Sequence, residues 1–161
     1  MGRDVNLIKA MHEPEEWLVG GSKDFLRFLK EHGVKNYFVT GAVIEHAPDG
    51  APCGSMYEEV QTLGLLDWAD DFCGSTWDVK LPKDLIMQRI CKRENIAPKN
   101  VLVVGDGRSE IAAGVAMNAL TISRLDATAT RAREIHRKLK SNIIVENYKI
   151  DNFRRICNCL I

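Results

Sequence analysis

Short, almost wholly apolar runs alternate with helix-like segments through much of this chain. The runs are VLVV at Val101–Val104, ALTIS at Ala119–Ser123 and NIIVEN at Asn142–Asn147, and each is followed by residues at helical spacing. Strands that are apolar on both faces are typical of a parallel sheet with helices packed on both sides. The alternation predicts an α/β fold built on a three-layer α/β/α, Rossmann-like parallel sheet.

The N-terminal half begins with one helix and one strand. The segment SKDFLRFLKEHG has Ser22 as a capping residue, apolar residues at helical spacing and Gly33 as a stop, which predicts a helix. It leads directly into the apolar run Tyr37–Val39, which predicts a short strand that ends at Thr40 and Gly41.

The segments that follow predict a loop, a helix over residues 56–66, a turn and a further helix. Residues 44–54 contain two prolines and two glycines, which indicates a loop, and residues 68–75, WADDFCGS, are predicted to form a turn. A helical pattern then begins at Pro82 and ends at Asn95. No stretch within the chain is long enough to be a linker, so we expect a single domain over residues 1–161.

Polar residues follow the predicted strands at the edge where a parallel α/β sheet binds its ligands. They are Thr40 and Gly41 after the first strand, Lys80 after the segment CGSTWDV, and Asp106 between two glycines after VLVV. Each alone has a plainer interpretation, as a turn threonine, a surface lysine or a turn aspartate. Glu110 follows Asp106 by one helical turn and puts a second carboxylate at this edge, and paired carboxylate oxygens are typical ligands of Mg²⁺.

The segment VVGDGRSE also invites comparison with a dinucleotide-binding loop. Counted from Gly105, the G-x-G-x-x-G pattern requires glycine at position 110, where this chain has Glu110. A carboxylate there would repel a phosphate at the helix N-terminus, so a dinucleotide site is disfavoured.

Three segments, taken in order, resemble the motifs of a known enzyme superfamily. FVTGA, VKLPKDLI and VLVVGDGRSEIAAGVAMNALTI resemble the second, third and fourth motifs of the haloacid dehalogenase-like superfamily, arranged as in its phosphoglycolate phosphatase-like members. The resemblance implies that Thr40 binds the transferring phosphoryl group, assisted by the backbone of Gly41 and Ala42. It also implies that Lys80 neutralises charge on the phosphoryl group and holds the nucleophile as an anion.

The fourth motif carries the metal site of this superfamily. The resemblance implies that Asp106 binds Mg²⁺ and that Glu110 stands where the second acidic ligand is often aspartate. The longer side chain keeps the charge of an aspartate but has a longer reach.

The chain departs from the family at the first motif. Family members begin with an apolar strand that ends in D-x-D, whose first aspartate attacks phosphorus and whose second acts as general acid and base. No D-x-D occurs in this sequence, and in the nearest candidate, Asp4-Val5-Asn6, asparagine replaces the second acid. We assign it no catalytic role. The resemblance thus implies a core without its first central strand and most of its cap, in which residues 1–20 are a remnant of the cap or a linker.

Loss of a central strand would leave the strands that end at Val39 and Val104 without their shared neighbour. Unpaired backbone groups cost free energy when buried, so another segment must fill or close the gap. The candidates are VNLI at residues 5–8, EEWLV at residues 15–19, a strand from a second copy of the chain, or a separate polypeptide.

The composition excludes several classes of partner. The 22 basic and 22 acidic residues give a formal net charge of zero, so the chain has no long-range field for nucleic acid or an anionic membrane. No apolar run is long enough to span a bilayer, and no secretion signal is recognisable. The five cysteines contain no C-x-x-C pair, which is typical of reduced thiols in the cytoplasm.

Three functions remain open at this stage. The first is a Mg²⁺-dependent phosphohydrolase core for phosphate-bearing small molecules, inactive alone because the nucleophile is absent. The second is a non-catalytic descendant that binds a phosphate ligand or serves in oligomerisation. The third, a flavodoxin-like domain with coincidental motifs, is disfavoured by the joint order of the three matches.

Overall fold

The computed structural model describes residues 14–160, which form two compact units, one ending at Pro82 and the other beginning at Lys83. The single domain that the sequence indicates therefore stays a prediction. The segment VNLI and the Asp4-Val5-Asn6 triplet lie outside the described residues. Within the described part, no helix is both long and apolar enough to cross a bilayer.

The first unit consists of short helices and two small sheets. Its elements are α1 (Pro14–Trp17), α2 (Ser22–Glu31), β1 (Tyr37–Val43), β2 (Glu45–His46), β3 (Pro52–Cys53), α3 (Ser55–Thr62), a 3-10 turn (Leu66–Trp68) and β4 (Asp71–Ser75). Strand β1 pairs in parallel with β4, whereas β2 and β3 form a two-residue antiparallel pair. The predicted loop of residues 44–54 thus contains a small hairpin, and the EEWLV segment begins inside α1 rather than in a strand.

The prediction of a turn at residues 68–75 is wrong, because residues 71–75 form β4. Two hydrogen bonds between the backbone of Asn36, which is buried, and Asp70 connect the starts of β1 and β4. The Asn36 N–H donates to Asp70 Oδ2 at 2.7 Å, and the Asp70 N–H donates to the Asn36 carbonyl at 2.7 Å. Asp70, an acidic residue of the kind typical of turns, therefore fixes the start of a strand.

Helix α2 begins one residue earlier than a serine cap would require. Its N-cap is Gly21, with a φ of 83°, and Ser22 is the first helical residue. The Ser22 hydroxyl donates to the Val19 carbonyl at 2.6 Å, so it stabilises the preceding turn instead of capping the helix. Gly33 ends the helix with a φ of 74°, as predicted.

The second unit alternates helices with parallel strands. Its elements are α4 (Lys83–Glu94), a 3-10 turn (Pro98–Asn100), β5 (Leu102–Gly105), α5 (Arg108–Ala116), β6 (Leu120–Arg124), α6 (Thr130–Lys138), β7 (Ile143–Val145) and α7 (Ile150–Leu160). The strands pair in parallel in the order β5-β6-β7. Because Gly105 is paired with Ser123, and Arg124 with Val145, the carboxyl ends of the three strands lie at one edge.

The core of the second unit contains both apolar packing and a buried polar network. Helix α5 packs closely on the sheet, because a Cβ on Gly114 would come within 2.7 Å of Thr121 Cγ2. Two residues further along β6, the buried His136 ring lies 2.8 Å from the Ser123 hydroxyl, which in turn donates to Ser141 Oγ at 2.7 Å. These contacts hold α6 and the start of β7 against β6.

Candidate functional site

The first candidate phosphate-binding residues lie inside β1 rather than after it. Val39 is paired with Cys73 and Val43 with Ser75, so the three residues Thr40–Ala42 face the single residue Gly74. Such an excess of residues on one strand is a β-bulge, which turns backbone groups out of the ladder. Gly41 and Ala42 are exposed at this bulge.

One hydrogen bond and the close approach of one glycine shape the bulge. The Ala42 N–H donates to Thr40 Oγ1 at 3.1 Å, which leaves the Thr40 hydroxyl hydrogen to donate elsewhere. Opposite, a Cβ on Gly74 would come within 2.9 Å of the Ala42 carbonyl oxygen and 2.7 Å of Ile44 Cδ1. Gly74 is therefore needed where the bulge crosses β4.

Lys80 lies on an exposed segment that follows β4. The turn before it is closed by the Thr76 N–H, which donates to the Val79 carbonyl at 3.0 Å, and by the Val79 N–H, which donates to Thr76 Oγ1 at 3.1 Å. Ser75, at the end of β4, accepts a hydrogen bond from the Leu81 N–H at 2.9 Å. The backbone on both sides of Lys80 is thus fixed, while its side chain is exposed.

Ser75 also reaches the bulge. Its Oγ lies 3.3 Å from the Gly41 carbonyl oxygen and 3.2 Å from the Leu81 carbonyl oxygen, and the residue is 0% exposed. One buried hydroxyl therefore contacts the Thr40–Ala42 bulge and the segment that carries Lys80. The sequence indicates neither Ser75 nor Gly74 as a site residue, because the pattern of residues 68–75 predicts a turn.

The second unit holds the two predicted metal ligands in different environments. Asp106 follows β5 directly and is exposed, whereas Glu110, in the first turn of α5, is 7% exposed. Glu110 Oε1 accepts from the Gly107 N–H at 2.7 Å, and Oε2 accepts from the Ser109 hydroxyl at 3.0 Å and from Lys83 Nζ at 3.1 Å. Glu110 thus fixes the turn that carries Asp106.

Two glycines make room for the Glu110 carboxylate. A Cβ on Gly105 would lie 2.6 Å from Glu110 Oε1, and a Cβ on Gly107 would lie 2.5 Å from the same atom. The glycines around Asp106, which resemble a ligand-binding loop in sequence, therefore accommodate a side chain of the same unit.

The ionisation of Glu110 reflects opposing effects. Burial alone would raise the pKa of its carboxyl, but hydrogen bonds from the backbone and the ammonium group of Lys83 outweigh burial and place the pKa below its usual value of 4.5. The carboxylate is therefore the stable form in the folded protein near neutral pH.

This direction gives a pH-dependent stability. A pKa that is lower in the folded than in the unfolded state stabilises the fold above the unfolded value, and the contribution is lost as the pH falls through the folded value. We expect the difference in unfolding free energy between the wild type and Glu110→Gln to be constant near neutral pH and to shrink below pH 4.5. Urea unfolding of both proteins from about pH 7 to about pH 3 measures this difference, and a difference that grows on acidification would contradict it.

The described residues alone do not fit Mg²⁺. Within residues 14–160, no three histidine, cysteine, aspartate or glutamate side chains are grouped so that they could hold a metal ion. Both oxygens of Glu110 already accept hydrogen bonds, and the Lys83 ammonium supplies the positive charge at Oε2. Asp106 alone leaves most of the roughly six positions around Mg²⁺ to other donors, so metal binding stays a prediction.

Two further side chains at this edge were missed from the sequence. Arg124, at the end of β6, donates through Nε to the Glu146 carbonyl at 3.1 Å and pairs with Asp126 at 2.6 Å. Tyr148 follows β7, and burial raises its pKa to about 12, with Arg124 acting to lower the value and Asp106 to raise it. The neutral phenol of Tyr148 thus lies within the electrostatic reach of both Asp106 and Arg124.

The structure groups the predicted residues in two sets. Thr40, Gly41, Ala42 and Lys80 lie in the first unit, where Ser75 contacts the backbone of residues 41 and 81. Asp106 and Glu110 lie in the second unit, on either side of Gly107.

The motif segments coincide with a known family. A sequence model of haloacid dehalogenase-like hydrolases matches residues 8–118, more than half of the chain, and this match includes FVTGA, VKLPKDLI and most of the third segment. A search of curated proteins gives no match.

Solved structures show the same fold. The chain is similar to a predicted phosphatase from Clostridium acetobutylicum, at 18% identity and a TM-score of 0.68. It is also similar to a predicted phosphoglycolate phosphatase from Haemophilus somnus, at 17% identity and a TM-score of 0.61. A third similar structure is a haloacid dehalogenase family hydrolase from Deinococcus radiodurans with bound phosphate and sodium, at 18% identity and a TM-score of 0.57. The predicted Rossmann-like α/β fold is confirmed.

The chain is shorter than these structures. The three matches cover 86%, 81% and 79% of this chain but 59%, 54% and 54% of the respective structures. The chain therefore spans less than two thirds of their length.

Proposed function

Because this chain belongs to the haloacid dehalogenase-like hydrolase family, we propose that it is the phosphoryl-binding core of a phosphohydrolase that does not act on phosphomonoesters by itself. The observation that carries the proposal is the Thr40–Ala42 bulge, at which Gly41 and Ala42 are exposed and which shares the buried Ser75 hydroxyl with the segment that carries Lys80. Its ligand would be a small molecule that bears a phosphate group. The related hydrolase from Deinococcus radiodurans has bound phosphate, which supports this choice.

The bulge and Lys80 provide complementary donors for such a ligand. The Thr40 hydroxyl and the Gly41 N–H can donate hydrogen bonds to phosphate oxygens, since both residues lie where the chain leaves the ladder. Lys80 adds a positive charge on an exposed side chain whose flanking backbone is fixed. Together these groups would bind a negatively charged phosphate group through hydrogen bonds and an ion pair, without any covalent step.

Hydrolysis would need a nucleophile from outside this sequence, because it contains no D-x-D motif. Mg²⁺ dependence would need ligands in addition to Asp106, together with a different partner for Lys83. These requirements are why we expect binding rather than turnover from the chain alone.

A second candidate function is a non-catalytic module that binds a phosphate ligand or mediates oligomerisation. The Lys83–Glu110 ion pair favours it, because an internal ammonium group neutralises the second predicted metal ligand. Phosphate binding that Mg²⁺ leaves unchanged would favour this module, whereas binding that Mg²⁺ strengthens would favour the hydrolase core.

Removal of the Lys80 charge tests the proposal. We expect Lys80→Met to weaken inorganic phosphate binding about tenfold or more, because a charge-assisted hydrogen bond contributes about 1.5–3 kcal/mol. Isothermal titration with phosphate measures the affinity. Lys99→Met removes the charge of another exposed lysine and serves as the matched control.

Three outcomes of the titration are decisive. A loss of affinity specific to Lys80 supports the site. Equal losses of phosphate affinity in Lys80→Met and Lys99→Met would mean that the affinity depends only on net charge, which would overturn the proposed site. A wild type that binds no phosphate would overturn the proposed function.

A further inference from the structure

We propose that Ser75 is a positioning residue that holds the Thr40–Ala42 bulge and the Lys80 segment in one arrangement and thereby sets the affinity for phosphate. This inference rests on the proposed function and adds to it a residue that contacts no ligand. Ser75 is 0% exposed, so its hydroxyl acts through the backbone groups that it touches.

The hydroxyl contacts three backbone groups. Ser75 Oγ accepts from the Leu81 N–H at 2.9 Å and lies 3.2 Å from the Leu81 carbonyl oxygen and 3.3 Å from the Gly41 carbonyl oxygen. A serine has one hydroxyl hydrogen, so the two carbonyl oxygens share or alternate in accepting it. The bond from Leu81 is independent of that choice.

These contacts involve the peptide groups next to the proposed ligand donors. The Gly41 carbonyl belongs to the same planar peptide group as the Ala42 N–H, and the Leu81 N–H belongs to the same group as the Lys80 carbonyl. A hydrogen bond to one end of a planar peptide fixes the direction of the other end. Ser75 thus fixes the orientation of the bulge and of the backbone from which the Lys80 side chain extends.

The strand pairing does not depend on the hydroxyl. The Ile44 N–H donates to the main-chain carbonyl of Ser75 at 2.8 Å, and Val43 is paired with Ser75 in the β1–β4 register. These backbone contacts remain when the side chain is changed. A Ser75→Ala variant therefore removes the link between the two segments while it preserves the backbone bonds between the strands.

Ser123 offers a matched control in the second unit. It is also a strand serine at 0% exposure, and its hydroxyl bonds to Ser141 and His136. Ser123→Ala removes an equally buried hydroxyl from a strand that carries none of the proposed phosphate donors. The pair of variants separates positioning from a general loss of stability.

The first measurement is amide hydrogen exchange at Leu81, which requires no ligand. We expect Ser75→Ala to raise the exchange rate of this amide about tenfold, because its acceptor is lost, and Ser123→Ala to leave it unchanged. Ser75→Thr keeps the hydroxyl and should restore protection. Unchanged exchange in Ser75→Ala would overturn the positioning role whatever the protein binds.

The second measurement is the affinity for inorganic phosphate. Ser75→Ala should bind phosphate about threefold to tenfold more weakly than the wild type. Ser123→Ala should bind phosphate with the same affinity as the wild type. Equal affinity in the wild type and folded Ser75→Ala, or an equal loss in Ser123→Ala, would overturn the proposal. If the wild type binds no phosphate, the proposed function fails, while exchange at Leu81 still decides whether Ser75 anchors the segment. Ser75→Cys, with a similar shape and a weaker hydrogen bond, takes the place of Ser75→Ala if that variant does not fold.

Discussion

The purified chain will release no phosphate from a general phosphomonoester above the uncatalysed rate, with or without Mg²⁺. Phosphoryl transfer in this family needs an aspartate nucleophile, and neither the sequence nor the described residues supply the D-x-D pair. Because enzymes accelerate their reactions about 10⁶-fold or more, the absence of the attacking group removes almost the whole rate.

A colorimetric assay with p-nitrophenyl phosphate tests this expectation. The control is the double variant Lys80→Ala, Asp106→Asn, whose folding is checked by circular dichroism. Turnover in the wild type that disappears in the double variant would show that the chain contains an unrecognised nucleophile. Turnover that persists in the variant would indicate a contaminating phosphatase.

Glu110→Ala will lower the free energy of unfolding by about 3 kcal/mol, because removal of one member of a mostly buried ion pair leaves its partners unsatisfied. The variant loses the carboxylate that accepts from the Gly107 N–H, the Ser109 hydroxyl and the Lys83 ammonium. Lys83 is 31% exposed and regains some water, which keeps the expected cost at the lower end for such pairs.

Urea unfolding of the variant and of a matched control measures the cost. Glu134 and Lys138 form an exposed pair at 2.8 Å, one helical turn apart on α6, and Glu134→Ala should cost less than about 0.5 kcal/mol. Similar losses of unfolding free energy in Glu110→Ala and Glu134→Ala would mean that the contacts of Glu110 stabilise the fold no more than those of an exposed ion pair. Glu110→Gln keeps the shape of the side chain, so its loss of unfolding free energy should lie between the losses of these two variants.

The second unit was largely predictable from local patterns. Strands β5, β6 and β7 coincide with the apolar runs to within a few residues, and Pro82 directly precedes α4. These signals are local, because a buried parallel strand must be apolar along its whole length and proline suits the start of a helix.

The first unit was less predictable because its structure depends on distant contacts. Strand β4 contains Asp71 and Gly74, which are rare in strands, and it forms by pairing with residues 34 positions earlier. The bulge at Thr40–Ala42 and the role of Ser75 follow from that pairing. A local sequence pattern cannot predict these two features, because they depend on contacts between residues that are far apart in the chain.

The candidate site shows the same division. The motif order identified Thr40, Lys80 and Asp106 as residues of interest, but the Glu110 carboxylate has a partner, Lys83, 27 residues away. No local pattern indicates this pairing, since a lysine at a helix start is usually on the surface. The sequence resemblance therefore predicts only a metal-ligand role for Glu110.

The packing around the Glu110 carboxylate also restricts how this turn can evolve. A side chain at position 105 or 107 would overlap the carboxylate, because a Cβ there comes within 2.6 Å of Oε1. Replacement of either glycine would therefore require the Glu110 carboxylate to move and to give up its bonds to Gly107, Ser109 and Lys83. Substitutions at positions 105 or 107 and at position 110 are thus expected to be non-additive in their effects on stability.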